Sequence, residues 1–201
     1  MMGNQASRPL PHKEKLLREG VRLIYQNGFN GTSIDGVLAA AEVPKGSFYH
    51  HFGSKDGFAK ALVGRYVSHQ ASMLDDWLAK DGLSTAEKIV GHFMSMVDRF
   101  IGTGHQRACL VGKLSSEVSS TSELFRQQLS AALNEMKCDI VVALEAGQAN
   151  GDVRQDRSSS DIADGIMALI QGAFVVALST HDDHSLTAVG ETIASIIEPP
   201  K

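Results

Sequence analysis

Apolar residues recur along most of the chain at spacings of three and four, the repeat of a helix buried on one face. The first such stretch, 11–26, lines up Leu16, Leu17, Val21, Ile24 and Tyr25, with Pro11 suited to a helix start and Asn27-Gly28 to its end. A second opens at Thr32 or Ser33, either of which can cap it, buries Ile34, Val37 and Leu38, and closes near Ala41. A short third is expected from Val43 to His50, with Pro44 in its first turn, where the missing N–H has no intrahelical partner anyway. Ser54 caps a fourth that reaches Trp77 or Lys80. Further helices are expected at 84–101, 107–119, 122–149, 160–179 and 185–197, with breaks at Gly102–Gly104, Asn150–Gly151 and His181–Asp183. No stretch alternates apolar and polar residues long enough to demand a strand. The pattern predicts an all-α protein of about nine helices. A loose arm over 1–10 precedes a three-helix unit over 11–60, and a helical body fills 61–201.

Two short helices joined by a tight turn, the second opening at Pro44, describe a helix-turn-helix, whose second helix lies in the DNA major groove. Its outward face is expected to hold Lys45, Gly46, Ser47, Tyr49 and His50. Lys45 supplies charge, and Gly46 removes a side chain where backbone approaches DNA. Ser47 serves a phosphate or base edge, and Tyr49 and His50 reach phosphate oxygens. Phe48 and Phe52 point inward as anchors. Thr32 and Ser33, at a helix N-terminus, and Lys55, after the Ser54 cap, are expected to clamp phosphates.

Three segments carry a family resemblance. They are Gly28-Phe29-Asn30-Gly31-Thr32-Ser33-Ile34, the run from Ala41 through Pro44-Lys45-Gly46-Ser47-Phe48-Tyr49 to Phe52, and Ser54-Lys55. Together they closely resemble the TetR-family DNA-binding domain over about Lys13–Tyr66. The resemblance implies a homodimer on pseudo-palindromic double-stranded operator DNA, a helical effector-binding body, and repression relieved by a small-molecule inducer. Activation in place of repression stays open as an alternative. The glycine of Asp35-Gly36, inside the second helix, departs from the family pattern, and close helix packing is the expected reason. The last two helices are the expected dimer interface, through Ile166, Ile170, Phe174, Val189, Ile193 and Ile197, with Gly165, Ala168, Gly172 and Ala173 allowing close approach.

Charge sharpens this picture. The net charge is −4, yet residues 1–60 hold eight Lys or Arg against five Asp or Glu, while residues 61–201 hold eleven against eighteen. A basic end on an acidic body fits one anion-binding face, not a chain coated for nucleic acid. The longest apolar run, Ile166–Leu178, is broken by Gln171-Gly172, and the N-terminus lacks an apolar signal core, so a cytoplasmic protein without a membrane partner is expected.

The body offers one chemical clue. Ala108-Cys109-Leu110-Val111-Gly112-Lys113-Leu114 resembles the segment carrying the sensor cysteine in an electrophile- and redox-sensing, N-ethylmaleimide-responsive TetR subgroup. That resemblance makes Cys109 the candidate sensor, on a helix facing the ligand cavity. A helix N-terminus favours thiolate, and His105, Arg107 and Lys113 stand near in sequence. In some members a lysine on the penultimate helix partners the cysteine; none lies between Lys137 and Lys201 here. A structural Cys109 beside a reversibly bound ligand stays open as the alternative. Trp77, Phe93, Met94, Met96, Phe100, Phe125, Met136, Met167 and Phe174 are the candidate pocket lining. No catalytic residue, metal site or cofactor is expected. Cys109 with His105 or His92 lacks an oxyanion hole, and the histidines lack zinc-site spacing.

Overall fold

The computed structural model describes residues 10–120 and 122–200. Nine α-helices and no strand occur among them: α1 (His12–Asn27), α2 (Ile34–Ala41), α3 (Lys45–Phe52), α4 (Lys55–Leu78), α5 (Thr85–Gly102), α6 (Leu110–Val118), α7 (Glu123–Asn150), α8 (Ser159–Thr180) and α9 (His184–Ile197). Of the arm expected over 1–10, residues 1–9 lie outside the described residues. The chain divides into two compact units, Met1–Leu62 and Val63–Lys201, and α4 contributes to both.

In the first unit α1, α2 and α3 pack against one another in all three pairings. Their apolar faces meet through Leu16, Leu17, Ile24, Val37, Leu38 and Phe48, all buried. Gly20 on α1 is required by close packing, since a Cβ there would overlap the Phe58 ring of α4. Ser33 caps α2 by accepting from Gly36 N–H at 3.0 Å, and Ser54 accepts from Gly57 N–H at the start of α4. Packing between helices does not explain Gly36. The atom a Cβ there would crowd is the Ser33 cap oxygen itself.

In the second unit α8 packs on α7 and α9, α5 on α7 and α9, and α6 on α7. The caps are local: Ser84 forms a reciprocal capping box with Glu87, while Ser122 and Ser158 accept from Phe125 and Asp161 N–H. Asp152, after α7, accepts from Thr85 N–H at 2.7 Å and ties α5 to the α7–α8 connection. The core runs through Phe93, Phe100, Leu144, Ile166, Phe174, Leu186 and Ile193.

Two expectations need correction. Pro44 is not inside α3; at φ −61° and ψ 145° it is the residue before the first helical position. And α8, with mean hydropathy 1.8, is long and apolar enough by composition to cross a membrane, because Gln171 and Gly172 are too mild to break it. In the fold, Ile162, Ile166, Ile170, Phe174 and Ala177 of this helix are core residues.

Candidate nucleic-acid interface and effector site

The turn between α2 and α3 is closed by Glu42, which takes a left-handed conformation (φ 53°, ψ 49°) and returns its N–H to Ala39 and Leu38. Val43 is buried behind it. From Pro44 the chain enters α3 with Phe48 fully buried, tilted against Phe58 at 5.1 Å and edge-on to Phe52 at 5.3 Å. This aromatic anchor fixes the rotation of α3 about its axis, so Lys45, Gly46, Tyr49 and His50 face outward. Tyr49 is 46% exposed, a large amount for an aromatic ring. Among the described residues, nothing beyond its own helix backbone and chain neighbours lies within 4 Å of where a Cβ at Gly46 would sit, so no packing contact among them calls for its missing side chain.

The remaining predicted contacts are placed differently. Ser47 is half-buried and bonded to His12 Nδ1 at 3.0 Å. Lys45 Nζ lies 3.4 Å from Asp35, an exposed pair worth little and easily exchanged for a phosphate. Lys55 stands over the Phe29 ring at 4.5 Å. Ser33 is exposed at the α2 N-terminus. Thr32 is a correction: it is buried, and its hydroxyl donates to Gly28 O at 2.7 Å, pinning the loop after α1 instead of facing solvent. His12 and Asp35 were missed, because their partners lie 35 and 10 residues away and no spacing rule links them.

In the second unit Cys109 is the N-cap of α6, and its Sγ accepts from Gly112 N–H at 3.4 Å. It is 2% exposed, between buried Ala108 and Leu110. His105 does not assist it. Its Nε2 pairs with Asp183 Oδ1 at 2.8 Å, and its ring stands edge-on to Phe100 at 5.0 Å. The side chain that α8 presents to this turn is Gln171, whose Oε1 occupies the place a Gly112 Cβ would take. That same point is 3.7 Å from Cys109 Cβ.

A narrow cavity of about 20 Å³ lies among α4, α5, α7 and α8. Gln70, Leu74, His92, Met96, Met136, Asp139, Met167 and Gln171 are among its walls. Of the pocket candidates, Met96, Met136 and Met167 reach it. Phe93, Phe100 and Phe174 do not; they form an edge-to-face series at 6.0 and 5.4 Å that fills the core. Trp77 donates its indole N–H to Ser95 Oγ at 2.9 Å, and Phe125 is buried at the start of α7; neither lines the cavity. Burial, with Arg99 and His69 adding to it, pushes His92 down to about 4, so its ring is neutral. Burial, then Glu135 and Asp75, pushes Asp139 up. Gln70 Oε1, His92 Nδ1 and Gln171 Nε2 are buried without a hydrogen-bond partner among the described residues.

The expected interface residues are also largely internal. Ile166, Ile170, Phe174, Ile193 and Ile197 are buried within the unit, and Ile170 is a cavity wall. Val189 alone of the six lines the apolar surface groove between α8 and α9, with Gly165, Ala168, Leu169, Gly172 and Val176. Of the small residues, Gly165, Ala168 and Gly172 line this open groove, while Ala173 is buried and the large residues turn inward.

Comparison with known proteins settles the lineage. The family described as bacterial regulatory proteins, tetR family, matches residues 16–62, and the tetracyclin repressor-like C-terminal domain matches residues 82–193. The chain belongs to the TetR family. TetR-family repressors bind operator DNA and act as dimers. The HTH-type transcriptional repressor NemR of Escherichia coli K12 is 33% identical over 138 residues, 69% of each chain. The repressor DhaR of Mycobacterium sp. strain GP1 is 28% identical over 165 residues, 82% of this chain and 81% of its own. The crystal structure of E. coli NemR in its reduced form superposes with a TM-score of 0.84 at 30% identity, covering 94% of this chain and 98% of that one. The TetR match at 16–62 spans most of α1, all of α2 and α3, and the start of α4; the second match covers α5 to α8 and most of α9. The likeness to NemR supports the subgroup resemblance read at Cys109.

Proposed function

We propose that this protein is a transcriptional repressor whose two copies set α3 into successive major grooves of a pseudo-palindromic operator, and that an electrophile acting on Cys109 releases it. The observation that carries the DNA reading is the outward face of α3, Lys45, Gly46, Tyr49 and His50, held by a buried aromatic anchor in a TetR-family chain. Residues 11–60 bind DNA, with Ser33, Ser47, Lys55 and exposed His12 contacting phosphates; residues 61–201 sense and dimerise. A partner that is chromosomal operator DNA places the protein in the cytoplasm. Repression is favoured over activation because NemR and DhaR are both named repressors.

The sensing step follows from the cap. Cys109 Sγ adds to the activated double bond of a quinone, forming one S–C bond; the thiol hydrogen ends in the hydroquinone adduct, and no separate oxidant is consumed. The adduct puts bulk at a site that is 2% exposed and packed between buried neighbours, so the first turn of α6 must move.

The test is a gel shift with the palindromic DNA flanking the gene. A quinone should lower wild-type affinity about tenfold or more, ~1.4 kcal/mol, and leave Cys109→Ser bound. Equal release of both proteins would move sensing away from Cys109. Lys45→Ala should weaken operator binding in the dimer, and unchanged affinity would remove α3 from the interface.

A further inference from the structure

A side-chain hydrogen bond ties α1 to α3: His12 Nδ1 lies 3.0 Å from Ser47 Oγ. His12, the first residue of α1, is exposed, and Ser47 is half-buried in the first turn of α3. In the proposed complex both residues contact phosphates, whose ionised oxygens only accept hydrogen bonds. The hydrogens can then be counted. Nε2 of His12 must carry one for its phosphate, Ser47 Oγ must turn one toward its own, and the bond between Nδ1 and Oγ needs a third. A neutral imidazole brings one and the hydroxyl brings one. With the ring proton on Nε2, the serine hydrogen is engaged by Nδ1, and Ser47 presents lone pairs alone to its phosphate. With the ring proton on Nδ1, Ser47 is free to donate, but Nε2 meets its phosphate as a lone pair. Either neutral tautomer thus sets one lone pair against an anion. The imidazolium, with an N–H at both nitrogens, satisfies all three contacts.

We propose that operator binding takes up a proton at His12, one for each α3 that docks, and that the His12–Ser47 pair makes the DNA grip depend on pH. The inference rests on the reading of α3 as the DNA-facing helix. The phosphates that demand the extra donor are also the anions that stabilise the added charge. The sign follows from the proton count. The bound state holds more protons than the free protein, so affinity falls as pH rises above the ordinary imidazole value of about 6.5. Each protomer contributes up to about tenfold per pH unit, and two protomers on one operator up to about a hundredfold. The other charged or titratable groups on these elements are Lys13, Glu14 and Lys15 beside His12 on α1, Asp35 on α2, Lys45, His50 and His51 on α3, and Lys55 at the start of α4. Lys45 pairs with Asp35, and Lys55 stands over the Phe29 ring. Of these side-chain types only histidine ordinarily titrates between pH 5 and 8. His50 and His51, edge-on to each other at 5.1 Å, can add proton uptake of their own, which comparison with the His12 variant subtracts.

The test is fluorescence anisotropy of the full chain on the palindromic DNA flanking the gene, from about pH 5.5 to about pH 8.5 at constant ionic strength. Wild type should lose affinity on the alkaline side more steeply than His12→Gln, by about tenfold per pH unit for each bound protomer. Ser47→Ala removes the competing hydroxyl and lets the neutral Nε2–H tautomer serve its phosphate, so it should flatten the profile as His12→Gln does. Calorimetric titration of wild type in buffers of different ionisation enthalpy should count the same protons directly, with no variant needed. Equal slopes in wild type and His12→Gln, a full slope retained in Ser47→Ala, or no proton uptake in the calorimeter overturns the proposal. Wild-type binding near pH 6 separates the two readings. If the operator is bound there and the affinity does not change with pH, only the proton uptake fails; if it is bound at no pH, the repressor reading fails.

Discussion

Gly46 shows what a single residue contributes when its reason is not internal. A glycine inside a helix costs roughly 0.5–1 kcal/mol against alanine, and no described residue of the first unit beyond its own helix neighbours crowds a Cβ there. Gly46→Ala should therefore leave the melting temperature unchanged or raised, while operator affinity falls about tenfold as the methyl meets DNA backbone. Thermal denaturation beside a gel shift checks both halves, and an unaltered affinity would mean that DNA does not approach α3 at this point. The anchors Phe48 and Phe52 were legible because their spacing on a short helix leaves them one inward face. Thr32 was not. It and Ser33 are both cap-competent residues, and only the backbone decides: Ser33 takes the extended cap conformation and Thr32 turns back to Gly28.

Among the helices, starts were readable wherever a serine caps locally, as at Ser33, Ser54, Ser84, Ser122 and Ser158. The start of α6 was not, since the segment before it is held by a remote pair, His105 with Asp183 from the α8–α9 connection. The cavity was illegible for the same reason: Gln70, His92 and Gln171 come from three helices and share no spacing. On α5, His92 gives a titration that sequence alone does not reveal. The native chain resists protonation of this ring down to about 4, whereas the unfolded chain accepts a proton near its ordinary value of 6.5. Stability contributed by the neutral ring is thus complete above 6.5 and is lost as pH falls toward 4, by up to about 1.4 kcal/mol per pH unit. Arg99 and His69 act in the same sense, while Asp139 shares the cavity. Urea unfolding from neutral pH downward should show wild type losing stability more steeply than His92→Gln. Parallel curves would assign the acid sensitivity to other groups.

For the whole molecule, the deciding element is α8, which is apolar on nearly all sides. Periodicity cannot choose the inward face of such a helix, which is why large residues were assigned outward when the fold buries them. What remains outside is a different stripe, Gly165, Ala168, Gly172 and Val176, with Val175 63% exposed beside it. Monomers seldom expose such a face without a partner, and the small residues leave room there for a second copy to approach closely, which makes this stripe the face to test. Gly172 gives a clean test, because among the described residues nothing beyond its own helix backbone and chain neighbours stands within 4 Å of a Cβ there. Gly172→Glu should keep the helical fold, since the side chain enters open space, yet place two carboxylates in a two-fold interface. Light scattering should then fall from twice the chain mass to the mass of one chain. Operator affinity should fall about a hundredfold or more, ~2.7 kcal/mol, because one α3 loses the help of the other. A Gly172→Glu protein that remains dimeric would place the two-fold axis on another face, and a wild-type monomer at micromolar concentration would refute the two-fold arrangement itself.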